Sequence, residues 1–208
     1  GREPISAKLV ANLMETAGVS RVVTVDLHAG QIQGFFDIPV DHLGAAPVLA
    51  AYLKERNLEN VVVVSPDLGG VTRTRKLADR LHAPIAIIEK RRPEPGVAEV
   101  MNLIGDVEGK TAILIDDIVD TAGSLCEGAK ALANLGAKEV YAACSHAILT
   151  DPAIERINAS VLKQLIVTDT IPLGDKKSDK IVVLTIADAI GDVLISIQEH
   201  RSVSHLFR

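Results

Sequence analysis

Short runs of uninterrupted aliphatic residues recur along this chain, and helical patterns stand between most of them. Val61-Val-Val-Val-Ser65 and Thr111-Ala-Ile-Leu-Ile-Asp116 are the plainest cases. A strand with one wet face alternates apolar and polar residues, so a strand without alternation is covered on both faces. Further strands are expected at residues 21–26, 85–89, 98–104, 139–145, 164–168 and 181–184. Helical spacing of apolar residues predicts helices at 5–17, 45–56, 71–81, 123–135 and 187–200. Strands alternating with helices specify an α/β protein with an open, mostly parallel sheet and helices on both faces.

Composition narrows the options further. The 208 residues contain 48% hydrophobic and 24% charged residues, ordinary globular usage that excludes disorder. Three Phe, two Tyr and no Trp leave an aliphatic core and no stacking platform for single-stranded nucleic acid. A net charge of -5 argues against a nucleic-acid partner. Cys126 and Cys144 lack metal-ligand or disulfide-framework spacing and read as reduced thiols. No apolar run reaches the roughly 18 residues that a membrane helix needs, and no signal pattern opens the chain. The expected location is therefore cytoplasmic, without a membrane partner.

In open parallel sheets, ligands bind beyond the carboxyl ends of the strands. Four predicted strand ends carry polar groups there: Asp26-Leu-His28, Ser65-Pro-Asp67, Glu89-Lys90 and Asp116-Asp117. The most informative segment is Ile113-Leu-Ile-Asp-Asp-Ile-Val-Asp-Thr-Ala-Gly-Ser124. Its strand is expected to end at the two carboxylates, with a helix starting at Gly123. Small residues before a helix N-terminus let backbone N–H groups and the hydroxyls of Thr121 and Ser124 surround a phosphate. Asp116 and Asp117, one strand end away, suit sugar hydroxyls or a Mg²⁺ holding them. A phosphate cradle beside a diol-binding pair describes a phosphorylated pentose. The other reading of these residues is a capped helix after an acidic strand end, with no ligand. The segment lacks the Gly-Lys-Ser/Thr ending of a Walker A loop.

The Asp-Asp-x-x-Asp-Thr-Ala-Gly-Ser pattern resembles the phosphoribosyl-diphosphate (PRPP) signature of type I phosphoribosyltransferases and PRPP synthetases. Asp26-Leu-His-Ala-Gly-Gln-Ile-Gln-Gly-Phe-Phe36, Val64-Ser-Pro-Asp-Leu-Gly-Gly-Val-Thr-Arg73 and Glu89-Lys-Arg-Arg-Pro93 resemble the synthetases, as does the closing Ser202-Val-Ser-His-Leu-Phe207. The likeness runs over essentially the whole chain, from Arg2 to Arg208. It is identified as a member of the ribose-phosphate diphosphokinase family, with a type I phosphoribosyltransferase-like fold. The resemblance implies transfer of the diphosphoryl group of ATP to the anomeric hydroxyl of ribose 5-phosphate, giving PRPP and AMP. Lys90 and Arg92 would be catalytic, in a loop of Pro and charge, with Arg92 also gripping ribose 5-phosphate. Asp116 and Asp117 would hold the ribose hydroxyls. Asp120, Thr121, Ala122, Gly123 and Ser124 would hold the 5-phosphate. His28 and Asp67 would be metal ligands.

The same resemblance implies Mg²⁺ as cofactor with ATP as substrate, inorganic phosphate as an activator, and a homo-oligomer, hexameric in the family. Against the family pattern, Ser124 stands in place of the more usual Thr, Gly96 in place of Asn, and Glu94 adds an acid to the catalytic loop. The implied organisation is a remnant of an N-terminal phosphoribosyltransferase-like domain (1–40), a complete C-terminal ribose-phosphate-binding domain (41–184), and a helix and tail packing on the remnant (185–208). Much of the ATP half of the site would then lie upstream of Gly1. The alternative function is a truncated or regulatory synthetase-like module that binds ribose phosphates without turnover. Regulatory relatives carry insertions near the catalytic loop, and residues 90–100 show none. A phosphoribosyltransferase is disfavoured by the block from Asp26 to Phe36.

Overall fold

The uninterrupted apolar runs become the centre of a seven-stranded sheet. The computed structural model describes residues 4–91 and 100–203, with the side chains of residues 90, 91, 100 and 101 left out. In chain order the elements are α1 (Ser6–Thr16), β1 (Val22–Val25), β2 (Val40–Leu43), α2 (Ala46–Glu55), β3 (Val61–Ser65), α3 (Val71–Leu81), β4 (Ile85–Arg91) and β5 (Val100–Ile104). They continue as β6 (Thr111–Val119), α4 (Gly123–Asn134), β7 (Glu139–Ala147), α5 (Ala153–Ala159), β8 (Leu165–Thr168), β9 (Ile181–Leu184) and α6 (Ala187–Gln198).

The chain divides into two compact units, one of Gly1–Ala45 with Ala187–Arg208 and the other of Ala46–Ile186. The second unit holds the large sheet, in the order β5-β4-β3-β6-β7-β8-β9. Every pairing in it is parallel except β4 with β5, so the sheet is mostly parallel as expected. The two-residue period of a strand splits the core between its faces. Val62, Val64, Ala112 and Leu114 join Leu125, Ala129 and Leu132 of α4 and Ile157 of α5 in one buried cluster. Val63 and Ile113 point the other way, and Ile113 shares a cleft with Leu53 of α2 and Leu81 of α3. Helices therefore cover both faces. Each fully buried Leu or Ile contributes about 1.5–3 kcal/mol, and a Leu114→Ala change would cost about 2–5 kcal/mol through the void it leaves.

The structure departs from the sequence expectations at four places. The strand expected to end at Asp116 continues as β6 to Val119, because β7 pairs with it through Val119 and Ala147. The strand β2 was not expected; four residues with Asp41 and His42 in them carry little apolar pattern. Asp41 is nonetheless buried, because Arg21 Nε donates to its carboxylate at 2.6 Å. The seven-residue helix α5 is too short to show a period. The last strand pair before β6 is a hairpin, so β4 runs on to Arg91 instead of stopping at residue 89. By contrast the predicted stop of α4 near Gly136 is met by its φ of 88°, where Ala137 N–H returns to the Leu132 carbonyl.

The smaller unit contains the parallel pair β1–β2, with a 3-10 turn helix (Gly30–Phe35) between the two strands. No helix among the described residues is long and apolar enough to cross a membrane.

Candidate active site

The order of the strands fixes where a ligand fits. From β3 the chain moves outward to β4 and β5, then returns to β6 on the other side of β3. Beyond the carboxyl ends of β3 and β6 the connections diverge and leave a crevice. The residues following β3 and those closing β6 are the ones the sequence singled out.

Asp116 and Asp117 lie within β6, side by side in sequence but in different surroundings. The Asp116 side chain is 34% exposed and the Asp117 side chain 3%. One guanidinium serves both: Arg73, in the first turn of α3, donates from Nη1 to Asp116 Oδ1 at 3.1 Å and pairs through Nη2 with Asp117 Oδ2 at 3.0 Å. Backbone N–H groups complete the pair, that of Asp117 reaching Asp116 Oδ1 at 2.9 Å and that of Ile118 reaching Asp117 Oδ1 at 3.0 Å. Burial, followed by the hydrogen bond with the neighbouring Asp117 carboxyl, pushes the Asp116 carboxyl up to about 6, and Arg73 only partly offsets this.

Asp116 opens onto a cavity of about 210 Å³ lined also by Ile118, Val119 and residues 120–125. All five residues of the predicted cradle line it: Asp120, Thr121, Ala122, Gly123 and Ser124. Asp117 does not. Ala122 takes a left-handed conformation, φ 57°, and the helix α4 starts at the next residue. That one left-handed residue bends the chain from the end of β6 into the helix, leaving the exposed Asp120, Thr121 and Ser124 at the mouth of the cavity.

A second segment braces this loop. The N–H groups of Ile148 and Leu149 both donate to the Val119 carbonyl, at 3.0 and 3.1 Å. The Thr150 hydroxyl donates to the Asp120 carboxylate. Arg156 Nη1, on α5, donates to the Thr121 carbonyl at 3.0 Å. Arg73, Thr150 and Arg156 were not singled out from sequence. Arg73 closes the segment from Val64 that resembles the synthetases, but its partners Asp116 and Asp117 are 43 and 44 residues away in β6.

Asp67 follows β3 and is exposed; its Oδ1 accepts the N–H of Gly70 at 2.8 Å, which shapes the turn into α3. His28 follows β1 in the other unit and is exposed. Its neighbour Leu27 donates its N–H to His42 Nε2 at 2.9 Å, and Asp26, at φ 38°, accepts the Ala45 N–H at 2.9 Å. Those two bonds set the loop that presents His28, and they give a purpose to His42, to which the sequence assigned none. Among the described residues no three His, Cys, Asp or Glu side chains gather as a metal cluster. Lys90 lies at the end of β4, paired with Met101 in the hairpin. Its side chain, Arg92 with the rest of the predicted catalytic loop to Gly96, and residues 204–207 of the closing motif lie outside the described residues.

The fold and this crevice define an α/β protein with a small cavity at the carboxyl ends of the central strands of a mostly parallel sheet. Comparisons with known proteins show what it is similar to. The family model described as "Phosphoribosyl synthetase-associated domain" matches residues 90–208. The ribose-phosphate pyrophosphokinase of Bacillus caldolyticus is 64% identical over 207 residues, 99% of this chain and 66% of its own length. That of Oceanobacillus iheyensis is 62% identical over 207 residues, 99% of this chain and 65% of its own length. The crystal structure of phosphoribosylpyrophosphate synthetase from Mycobacterium smegmatis superposes with a TM-score of 0.89 at 44% identity, over 96% of this chain and 66% of that one. The chain belongs to the phosphoribosyl synthetase family. It spans 65–66% of the length of these curated relatives.

Proposed function

We propose that this chain takes part in making PRPP and AMP from ATP and ribose 5-phosphate. In that reaction the anomeric hydroxyl oxygen bonds to the β-phosphorus of ATP. The bond from that phosphorus to the oxygen shared with the α-phosphorus breaks, the hydroxyl gives up its proton, and AMP leaves. The observation that carries this reading is the cavity in which the open carboxylate of Asp116 and residues 120–124 converge on one small space. The large unit, Ala46–Ile186, is proposed as the ribose-phosphate-binding domain.

In this reading residues 120–124 hold the 5-phosphate and Asp116 accepts hydrogen bonds from the ribose hydroxyls. Asp117, buried under Arg73, acts with it to fix the direction of the Asp116 carboxylate. Lys90 and Arg92 supply positive charge to the transferring phosphoryl groups, whose transition state is stabilised mainly by positioning and cations. Mg²⁺ typically keeps several waters and takes one or two carboxylates plus substrate phosphates. The exposed Asp67, with one carboxylate oxygen engaged by Gly70, fits that requirement. Asp67 is proposed as a metal ligand near the ribose, and His28, in the smaller unit, as a separate Mg²⁺ ligand near the ATP phosphates. Mg²⁺ would neutralise charge on the ATP phosphates, and inorganic phosphate is proposed as an activator. A homo-oligomer is proposed as the assembly, supported by the exposed apolar residues Leu9 and Leu13 of α1 and Ile5 just before it.

The test is incubation with Mg-ATP and ribose 5-phosphate while following AMP. Release that disappears in Lys90→Ala supports the enzyme. A second reading is a module that binds ribose phosphates without turnover, which the same cavity would serve. No AMP release, with ribose 5-phosphate still bound in calorimetry, selects that reading.

A further inference from the structure

The cavity proposed to take the 5-phosphate has a charge problem. Among the described residues its lining carries two carboxylates, Asp116 and Asp120, and no Lys or Arg. A phosphate monoester carries about -1.5 to -2 charges at neutral pH. The α4 N-terminus offers only about half a positive charge. Arg73 is already shared between Asp116 and Asp117. A phosphate held beside the Asp120 carboxylate, with Asp116 at the other end of the cavity, needs a further cation.

Arg156 is in position to be that cation. It reaches the loop from α5, and its Nη1 is anchored on the Thr121 carbonyl at 3.0 Å. The same atom lies 3.2 Å from where a Cβ on Gly123 would stand, and Cζ lies 3.9 Å from it. The guanidinium therefore rests against the first residue of α4, on the rim of the cavity that Gly123 lines. Glycine at this position leaves it the room. A guanidinium has five N–H donors in a planar fork that matches phosphate oxygens; the carbonyl occupies one of them. Arg156 itself is exposed, so its remaining donors are not buried.

We propose that Arg156 is a further substrate-binding residue, which supplies positive charge to the 5-phosphate while tied to the loop through Thr121. The proposal rests on the reading of residues 120–124 as the phosphate cradle. The experiment is calorimetric titration of ribose 5-phosphate into the parent protein, Arg156→Gln and Arg156→Lys, each at low and high KCl. Thermal melts of the three proteins accompany it. The expected result is a loss of about tenfold or more in Arg156→Gln, the scale of a hydrogen bond between charged groups. The parent's affinity should fall with salt, the Gln variant's should depend on salt less, and Lys should restore most of the affinity. Affinity within about twofold of the parent in Arg156→Gln overturns the proposal alone. So does a loss with unchanged salt dependence, which marks Arg156 as only a brace for the loop. If the parent fails to bind ribose 5-phosphate, the cradle reading falls and this inference with it.

Discussion

Arg73 and Asp116, 43 residues apart in sequence, meet at 3.1 Å across the crevice between β3 and β6. The same guanidinium holds Asp117 at 3.0 Å, so two adjacent carboxylates share one cation. Asp117 is almost wholly out of water and Asp116 is half-buried. Without Arg73 the buried Asp117 carboxylate would lose this cation, and the Ile118 N–H that it also accepts could not replace a full positive charge.

Arg73→Gln is therefore expected to destabilise the large unit by about 3 kcal/mol, the usual cost of breaking a buried ion pair from one side. Urea denaturation followed by circular dichroism measures this. A shift below about 1 kcal/mol would mean that the pair is solvated like a surface bridge.

Asp116 makes stability depend on pH in an uncommon direction for a carboxylate. Its folded-state value, about 6, lies above the ordinary 3.8. The folded protein keeps this proton where the unfolded chain has lost it. The contribution to stability is complete below pH 3.8, declines as pH rises, and is gone above about pH 6. Asp116→Asn should remove this component from the pH profile of the unfolding free energy. A profile between pH 4 and 6 identical in parent and variant would refute the assignment.

Much of this arrangement was legible beforehand, for a physical reason. Strands covered on both faces leave an uninterrupted apolar signature, so β3 and α3 fall on their expected residues. The cradle is one contiguous segment of 120–124, and local chemistry alone made it visible. The end of β6 was misplaced because Asp116 and Asp117 looked like the start of a loop; pairing with β7 and the Arg73 bridge keep them in the strand. Arg73, Thr150 and Arg156 acquire their roles only through contacts spanning 30 or more residues. No local pattern encodes such contacts. His42 became informative only once β2 had placed it against Leu27.

Ala122 should be sensitive to branching. It is 4% exposed and holds φ 57°, a conformation that disfavours any Cβ and most of all a branched one. Ala122→Val adds backbone strain and overpacking, each on the order of 1–3 kcal/mol. The expected outcome is a loss of about 2–4 kcal/mol by denaturant titration, together with weaker ribose 5-phosphate binding because the entry into α4 is displaced. Stability within 0.5 kcal/mol of the parent, the range of a neutral surface change, would mean that the loop is not held in this conformation.

The Thr150 hydroxyl and the Asp120 carboxylate form the remaining link between the cradle and its brace. Both residues are exposed, so neither substitution threatens the core. Thr150→Val keeps the side-chain shape and deletes the donor, while Asp120→Ala deletes the acceptor. If Thr150 acts by holding Asp120 in place, the two losses in ribose 5-phosphate affinity will not add. The double variant should bind about as weakly as Asp120→Ala alone, with a coupling of about 1 kcal/mol, in the range found for residues in contact. Calorimetry on the four proteins gives the cycle directly. Fully additive losses would show that Thr150 serves the ligand by another route, and an unchanged affinity in Asp120→Ala would show that the Asp120–Thr150 link does not shape the phosphate loop.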